Sequence, residues 1–297
     1  MYNIQYKDFG NGNLQIIKYS RPILTGTPEK EIEELKSRAR FYGEDNPELL
    51  KKLMNVAIDY SHQIQDNKSK DEIRLCELSD EEYVNYLDKL DKQRTLNKMK
   101  NDGRDKKKVY DLARSNQWEW YVTITFSKEQ VDRYNFAAIQ KKFRKWLNHF
   151  SERYCDGELA YLFVPEQHKD GAWHYHGLIA GAPADEFVNS GVIQKGHQKY
   201  NLRRFNYGFT NCSKVKNADA ICRYVAKYMS KSLALTLSGQ HRHIASRNLN
   251  KPIVKRELSD TINIDDDFEL TWEQAKEYNI NGINQRMNIY EYSMTIQ

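Results

Sequence analysis

From Trp118 to Ser127 the sequence reads WEWYVTITFS, where aromatic and β-branched residues displace the charges that dominate the chain before it. That run predicts a buried strand. In FAAIQKKFRKWLNHF, residues 136–150, Phe136, Ile139, Phe143, Trp146, Leu147 and Phe150 recur at steps of three and four, which predicts an amphipathic helix. LAYLFVPEQ, HKDGAW and HYHGLIAG follow and predict strand, tight turn and strand. In NADAICRYVAKYMSK, residues 217–231, Ile221, Val225 and Met229 step by four, which predicts a second helix. Hairpins mixed with helices predict an α+β unit, an antiparallel sheet flanked by helices, here read as lying on one side of it.

The flanking segments have weaker patterns. Leu14 and Ile16, after Gly10 and Gly12, predict a small hairpin within residues 1–25. The charged stretch from Glu29 to about Arg114 favours helix and has little core of its own, a helical appendage. After Ser232 the chain is polar and acidic and ends in a candidate strand, YSMTIQ. Three zones result: a charged N-terminal region over 1–115, a central domain over 116–235 and a C-terminal region over 236–297.

Charge sharpens this division. The formal net charge is only +5, but residues 92–114 hold nine basic and three acidic side chains, and residues 203–231 hold seven basic and one acidic. Two basic segments around an apolar centre fit a polyanion such as nucleic acid. Residues 257–277 reverse the sign, with eight carboxylates and one lysine. A mean hydropathy of −0.85, no apolar run of eighteen residues and no secretory pattern in MYNIQYKDFG lead us to expect a cytoplasmic protein with no membrane association. The four cysteines, Cys76, Cys155, Cys212 and Cys222, form no CxxC pair, so reduced thiols are expected rather than disulfides or a cysteine-bound zinc.

The candidate chemistry starts at His174-Tyr175-His176. Alternate strand residues share a face, so the two imidazoles project together about 7 Å apart, with Tyr175 on the other side. Lys169-Asp170-Gly171 suits a three-residue hairpin loop. Pairing outward from it sets His168 across from Ala172, Glu166 across from His174 and Val164 across from His176. Glu166 then joins the histidines on one face, and a two-histidine, one-carboxylate set suits a divalent cation. His168 shares the face of Glu166 and is a further candidate, as ligand or as neighbour to one. A second pair, His241-Arg242-His243, has neither a strand pattern nor a carboxylate in register, and is read as a solvated or DNA-facing loop.

Tyr224, Lys227, Tyr228 and Lys231 fall at i, i+3, i+4 and i+7, one stripe of the second helix. Half-buried tyrosines with snorkelling lysines account for such a stripe. Covalent catalysis by a phenol, with lysines or a metal favouring the phenolate, accounts for it equally.

WHYHGLIAG, followed about fifty residues on by YVAKYMSK and preceded by YVTITF, resembles the three ordered motifs of HUH-type rolling-circle replication initiators. The paired tyrosines are similar to those of gene A-type initiators of small single-stranded DNA phages and of related plasmid and filamentous-phage proteins. The likeness covers roughly residues 118–235. Relaxases of the superfamily place the tyrosine ahead of the histidines, whereas here it follows them. Tyr175 departs mildly from the bulky apolar residue usual between the histidines.

The resemblance implies a ferredoxin-like HUH nuclease fold and a site-specific single-stranded DNA endonuclease and strand transferase. His174, His176 and Glu166 would hold Mg²⁺ or Mn²⁺ at the scissile phosphate. Tyr224 or Tyr228 would attack to give a 5′-phosphotyrosine and a free 3′-OH, with Lys227 and Lys231 offsetting charge. Thr123, Thr125, Arg203 and Arg204 are candidates to hold the DNA. The expected partners are single-stranded origin DNA and a separate helicase and DNA polymerase, since no GxxxxGK[ST] occurs. A transposase or relaxase with the same chemistry, and a non-catalytic single-strand-binding module, are the alternatives.

Overall fold

The computed structural model describes residues 2–23, 102–194, 196–232, 242–280 and 283–295, with the side chains of 229–232, 278–280 and 283 outside the description. The chain opens with a hairpin, β1 (Tyr2–Asp8) and β2 (Asn13–Ile23), as the alternation around Leu14 and Ile16 predicts. A helix over 102–114, α1, leads to β3 (Trp120–Phe126) and α2 (Phe136–Tyr154). A hairpin follows, β4 (Ala160–Gln167) and β5 (Trp173–Ala180), then a second one, β6 (Phe187–Gln194) and β7 (His197–Leu202). Next come β8 (Gly208–Lys214) and α3 (Ala218–Ser232). The short β9 (Ile244–Ala245), β10 (Ile253–Glu257), β11 (Phe268–Ile280) and β12 (Ile283–Met294) complete the order.

Two compact units result, Met1–Asp91 with Ile253–Gln297, and Lys92–Pro252. The first holds a five-stranded antiparallel sheet in the order β10-β1-β2-β12-β11. The segment after residue 252, read from sequence as polar with one terminal strand, supplies three strands to it. Its core is small, Ile4, Tyr6 and Ile16 with Tyr290 and Tyr292 packed against them. On the opposite face Lys7, Gln15 and Glu291 form a buried polar row, with Gln15 Nε2 donating to Glu291 Oε1 at 3.1 Å. Apart from 102–114, the helical appendage expected over 29–114 lies outside the described residues.

The second unit is a seven-stranded antiparallel sheet in the order β6-β7-β8-β3-β5-β4-β9. β3 and β4 each pair antiparallel with β5 and so run parallel to one another, with α2 as their crossover. All six apolar positions that predict α2 are buried, and Asn135 caps its start by accepting from Ala138 N at 3.1 Å. They pack on Val122, Ile124, Phe126, Phe163 and Tyr175.

Helices cover both faces of this sheet, not one. Val109, Leu112 and Ala113 of α1, with Cys222 and Val225 of α3, pack on Leu162, Val164 and Leu178 from the side opposite α2. The cause is visible in the strands: Leu162-Phe163-Val164 and Leu178-Ile179 are apolar at consecutive positions, so both their faces require cover. Arg114 forms an ion pair with Asp219 at the start of α3, and Arg242 bonds Asp102 at 2.6 Å and Asp105 at 3.1 Å. Arg242 is therefore tied to α1 and not solvated, and Ile244–Ala245 beside it pairs with β4 as a strand. Cys155, Cys212 and Cys222 are free and buried, as expected for reduced thiols, whereas Cys76 lies outside the described residues.

Candidate functional site

The hairpin register is the one the turn chemistry requires. Gly171 has φ +86, the left-handed conformation that closes the loop, and Glu166 pairs with His174 and Val164 with His176. His168 N donates to Ala172 O at 2.8 Å. Gly177 has a steric role: a Cβ there would stand 2.2 Å from Phe163 Cδ1 and 2.5 Å from Leu162 O. Only glycine lets β4 lie this close behind the second histidine.

His174 and His176 project from one face of β5, nearly buried at 8% and 7% exposure, while Tyr175 is fully enclosed on the other face against Phe126 and Phe143. Each imidazole is held from β3. Thr125 Oγ1 lies 2.9 Å from His174 Nδ1, and Tyr121 Oη and Thr123 Oγ1 lie 2.9 and 3.2 Å from His176 Nδ1. Alternation in YVTITF puts those three hydroxyls on the histidine face. Sequence reasoning singled out the two threonines as DNA contacts and missed Tyr121, though the same parity includes it. On the outer side, Glu166 Oε2 is 2.7 Å from His176 Nε2, diagonally across the hairpin.

The tyrosine helix closes over this centre. α3 is capped by Asn217, which accepts from Ala220 N at 2.9 Å, and its Cys222, Val225 and Ala226 are buried. That seating turns Tyr224 and Tyr228 toward the histidines. The Tyr228 ring stacks on His176 with centroids 3.9 Å apart, and Tyr228 Oη donates to Tyr224 Oη at 2.6 Å. Tyr121 meets Tyr224 edge-on at 5.6 Å. Lys227 is exposed, and the Lys231 side chain lies outside the described residues. His168 is exposed and stacks ring on ring with His174 at 4.1 Å. Arg204 lies elsewhere: it pairs with the buried Glu186 and rests on the Tyr154 ring at the end of α2, and Arg203 reaches Asp185 at 3.3 Å.

Burial sets the protonation states. His174 is pushed down to about 4, first by desolvation and then by the neighbouring His168 and His176, so it is neutral at pH 7 with a lone pair to offer. Burial, and then donation to Tyr224, pushes the Tyr228 phenol up. The lysine stripe does not lower it. Tyr121 is raised by burial as well.

Among the described residues, no group of three or more His, Cys, Asp or Glu side chains is gathered about a common metal position. The donor set nevertheless suits a divalent cation, for a reason that lies in β3. A hydroxyl either donates or accepts, so Thr123, Thr125 and Tyr121 satisfy Nδ1 in both imidazole tautomers. His176 therefore donates from Nε2 to Glu166 in the arrangement seen, or offers a Nε2 lone pair beside that carboxylate, without moving its ring.

Fold and site together define an α+β unit with two imidazoles, one carboxylate and two linked phenols on one face of an antiparallel sheet. Residues 119–233 match the family model described as Replication-associated protein ORF2/gene II protein. The matched segment contains Glu166, both histidines and both tyrosines, and the match is consistent with a rolling-circle replication initiator. No curated protein and no solved structure matches the chain. Among the described residues no helix is long and apolar enough to cross a membrane.

Proposed function

We propose that this protein nicks single-stranded origin DNA by tyrosine attack and later rejoins the strands, as a rolling-circle initiator. The observation that carries the reading is the stack of Tyr228 on His176 with its hydroxyl bonded to Tyr224, which brings two nucleophile candidates onto the histidine face. His174, His176 and Glu166 would hold a Mg²⁺ or Mn²⁺ ion, whose contribution when bound is to polarise the scissile phosphate.

The rest is work for the chain's own side chains. A phenolate oxygen attacks phosphorus, the bond from phosphorus to the 3′ oxygen breaks, and a 5′-phosphotyrosine and a 3′-OH result. Tyr228 donates to Tyr224, so Tyr224 is the oxygen stabilised as phenolate and the one that attacks first. Tyr228 then serves the second cleavage. Lys227 offsets phosphate charge from the exposed side of α3, with Lys231 one turn on. Because the ester survives as phosphotyrosine, rejoining needs no nucleotide triphosphate. Unwinding and synthesis fall to a separate helicase and polymerase.

Incubating the full-length protein with single-stranded DNA and Mn²⁺ tests the reading. A covalent adduct that disappears with chelator and with Tyr224→Phe plus Tyr228→Phe is expected. Stable single-strand binding with no adduct under any of these conditions would instead favour a non-catalytic binding module.

A further inference from the structure

The face that carries the histidines continues past them. Thr125, whose hydroxyl holds His174, pairs directly with His174 on one side and with Phe209 of β8 on the other. Paired residues of antiparallel strands project to the same face, so His174, Thr125 and Phe209 form one row. Two strand spacings put its ends about 10 Å apart. His176, Thr123 and Asn211 form the next row.

This half of the face is built differently from the half beneath α3. The apolar cluster under α1 and α3 takes its strand residues from β4 and β5, and none from β6, β7 or β8. Phe209 is 73% exposed, the most exposed of the large hydrophobic side chains described. Its surroundings are polar. Asn211 is exposed beside it, and Lys199 Nζ donates to Ser213 Oγ at 2.7 Å further along β8. A single aromatic ring among an amide, a hydroxyl and an ammonium is a poor seat for a protein partner, which needs a contiguous apolar patch. It is a good seat for a nucleobase, whose sugar–phosphate backbone the polar groups and cation accommodate.

We infer that Phe209 is a base-stacking residue that holds a nucleotide flanking the scissile phosphate, so that single-stranded DNA crosses β8 and β3 to reach the tyrosines. The inference rests on the nuclease reading for its substrate, and it adds the path of the strand. Phe209 is a positioning residue: it touches DNA beside the reacting phosphate and takes no part in bond making.

The test separates binding from chemistry. Full-length protein carrying Tyr224→Phe and Tyr228→Phe, which leaves DNA intact, is titrated with Mn²⁺ and oligonucleotides bearing 2-aminopurine at successive positions. One position is expected to show a large fluorescence change on binding. Adding Phe209→Ala should abolish that change and weaken binding roughly 5- to 100-fold, and Phe209→Trp should restore both. In the cleaving protein Phe209→Ala should raise KM with little effect on kcat. Unchanged affinity and an unchanged fluorescence profile in Phe209→Ala would overturn the inference, as would absence of binding by the parent protein. If Phe209→Ala weakens binding while the wild-type protein forms no adduct, the stacking role stands and the nuclease reading fails.

Discussion

The ring of Tyr228 lies on the ring of His176, 3.9 Å between centroids and 13° from parallel, so the tyrosine helix and the histidine strand meet face to face. The contact orders the site around one residue. His176 is gripped at Nδ1 by β3 hydroxyls, at Nε2 by Glu166 and on its ring face by Tyr228.

The two tyrosines are inequivalent, and their variants should differ. Tyr228 donates to Tyr224 and is the more buried, with its phenol pushed up. Tyr224→Phe should abolish the first adduct. Tyr228→Phe should keep it, slowed about 10- to 100-fold by loss of the hydrogen bond to the developing phenolate. Denaturing gels of protein–DNA adducts read both. Equal losses would show that the hydroxyl pair has no fixed direction.

Thr125 orients His174 and touches no substrate atom in the proposed chemistry. Thr125→Val should weaken Mn²⁺ binding by about 10- to 100-fold and Thr125→Ser should retain it. Calorimetric titration of the metal, independent of cleavage, gives the comparison.

Gly177→Ala should destabilise the second unit by roughly 1–3 kcal/mol, because the added methyl meets Phe163 and the Leu162 carbonyl. Phe163→Leu in the same chain should recover part of that loss, since it relieves one of the two contacts. Denaturant unfolding of the single and double variants measures it.

His174 makes stability depend on pH in a defined window. Its folded value of about 4 lies below the ordinary 6.5, so between those limits the unfolded chain binds a proton that the folded chain refuses. The stability this group contributes is present above pH 6.5 and is lost as pH falls toward 4. The wild-type melting temperature should therefore fall more steeply across pH 6.5 to 4 than that of His174→Gln.

The central unit was legible because its signals are local. The apolar steps of α2, the turn at Lys169-Asp170-Gly171 and strand parity together specify the Glu166–His174 register that the structure shows. The helix layers were not legible in that way, since Leu162 and Phe163 are apolar on opposite faces and periodicity alone does not say what covers each. The pairing of the N-terminal hairpin with β12 joins residues more than 260 positions apart, as Tyr19 and Met287 do, and no local pattern encodes it. Charge misled at Arg204. A basic residue in a basic segment reads as a DNA contact, but its partner Glu186 is buried beneath it.

The central claim, that these tyrosines become joined to DNA, is tested most directly by peptide mass mapping after reaction with single-stranded origin DNA, Mn²⁺ and nuclease trimming. A residual nucleotide on the Tyr224 peptide, with a 3′-OH on the released fragment, is the predicted result. A released fragment ending in 3′-phosphate, or cleaved DNA with both tyrosines unmodified, would contradict it.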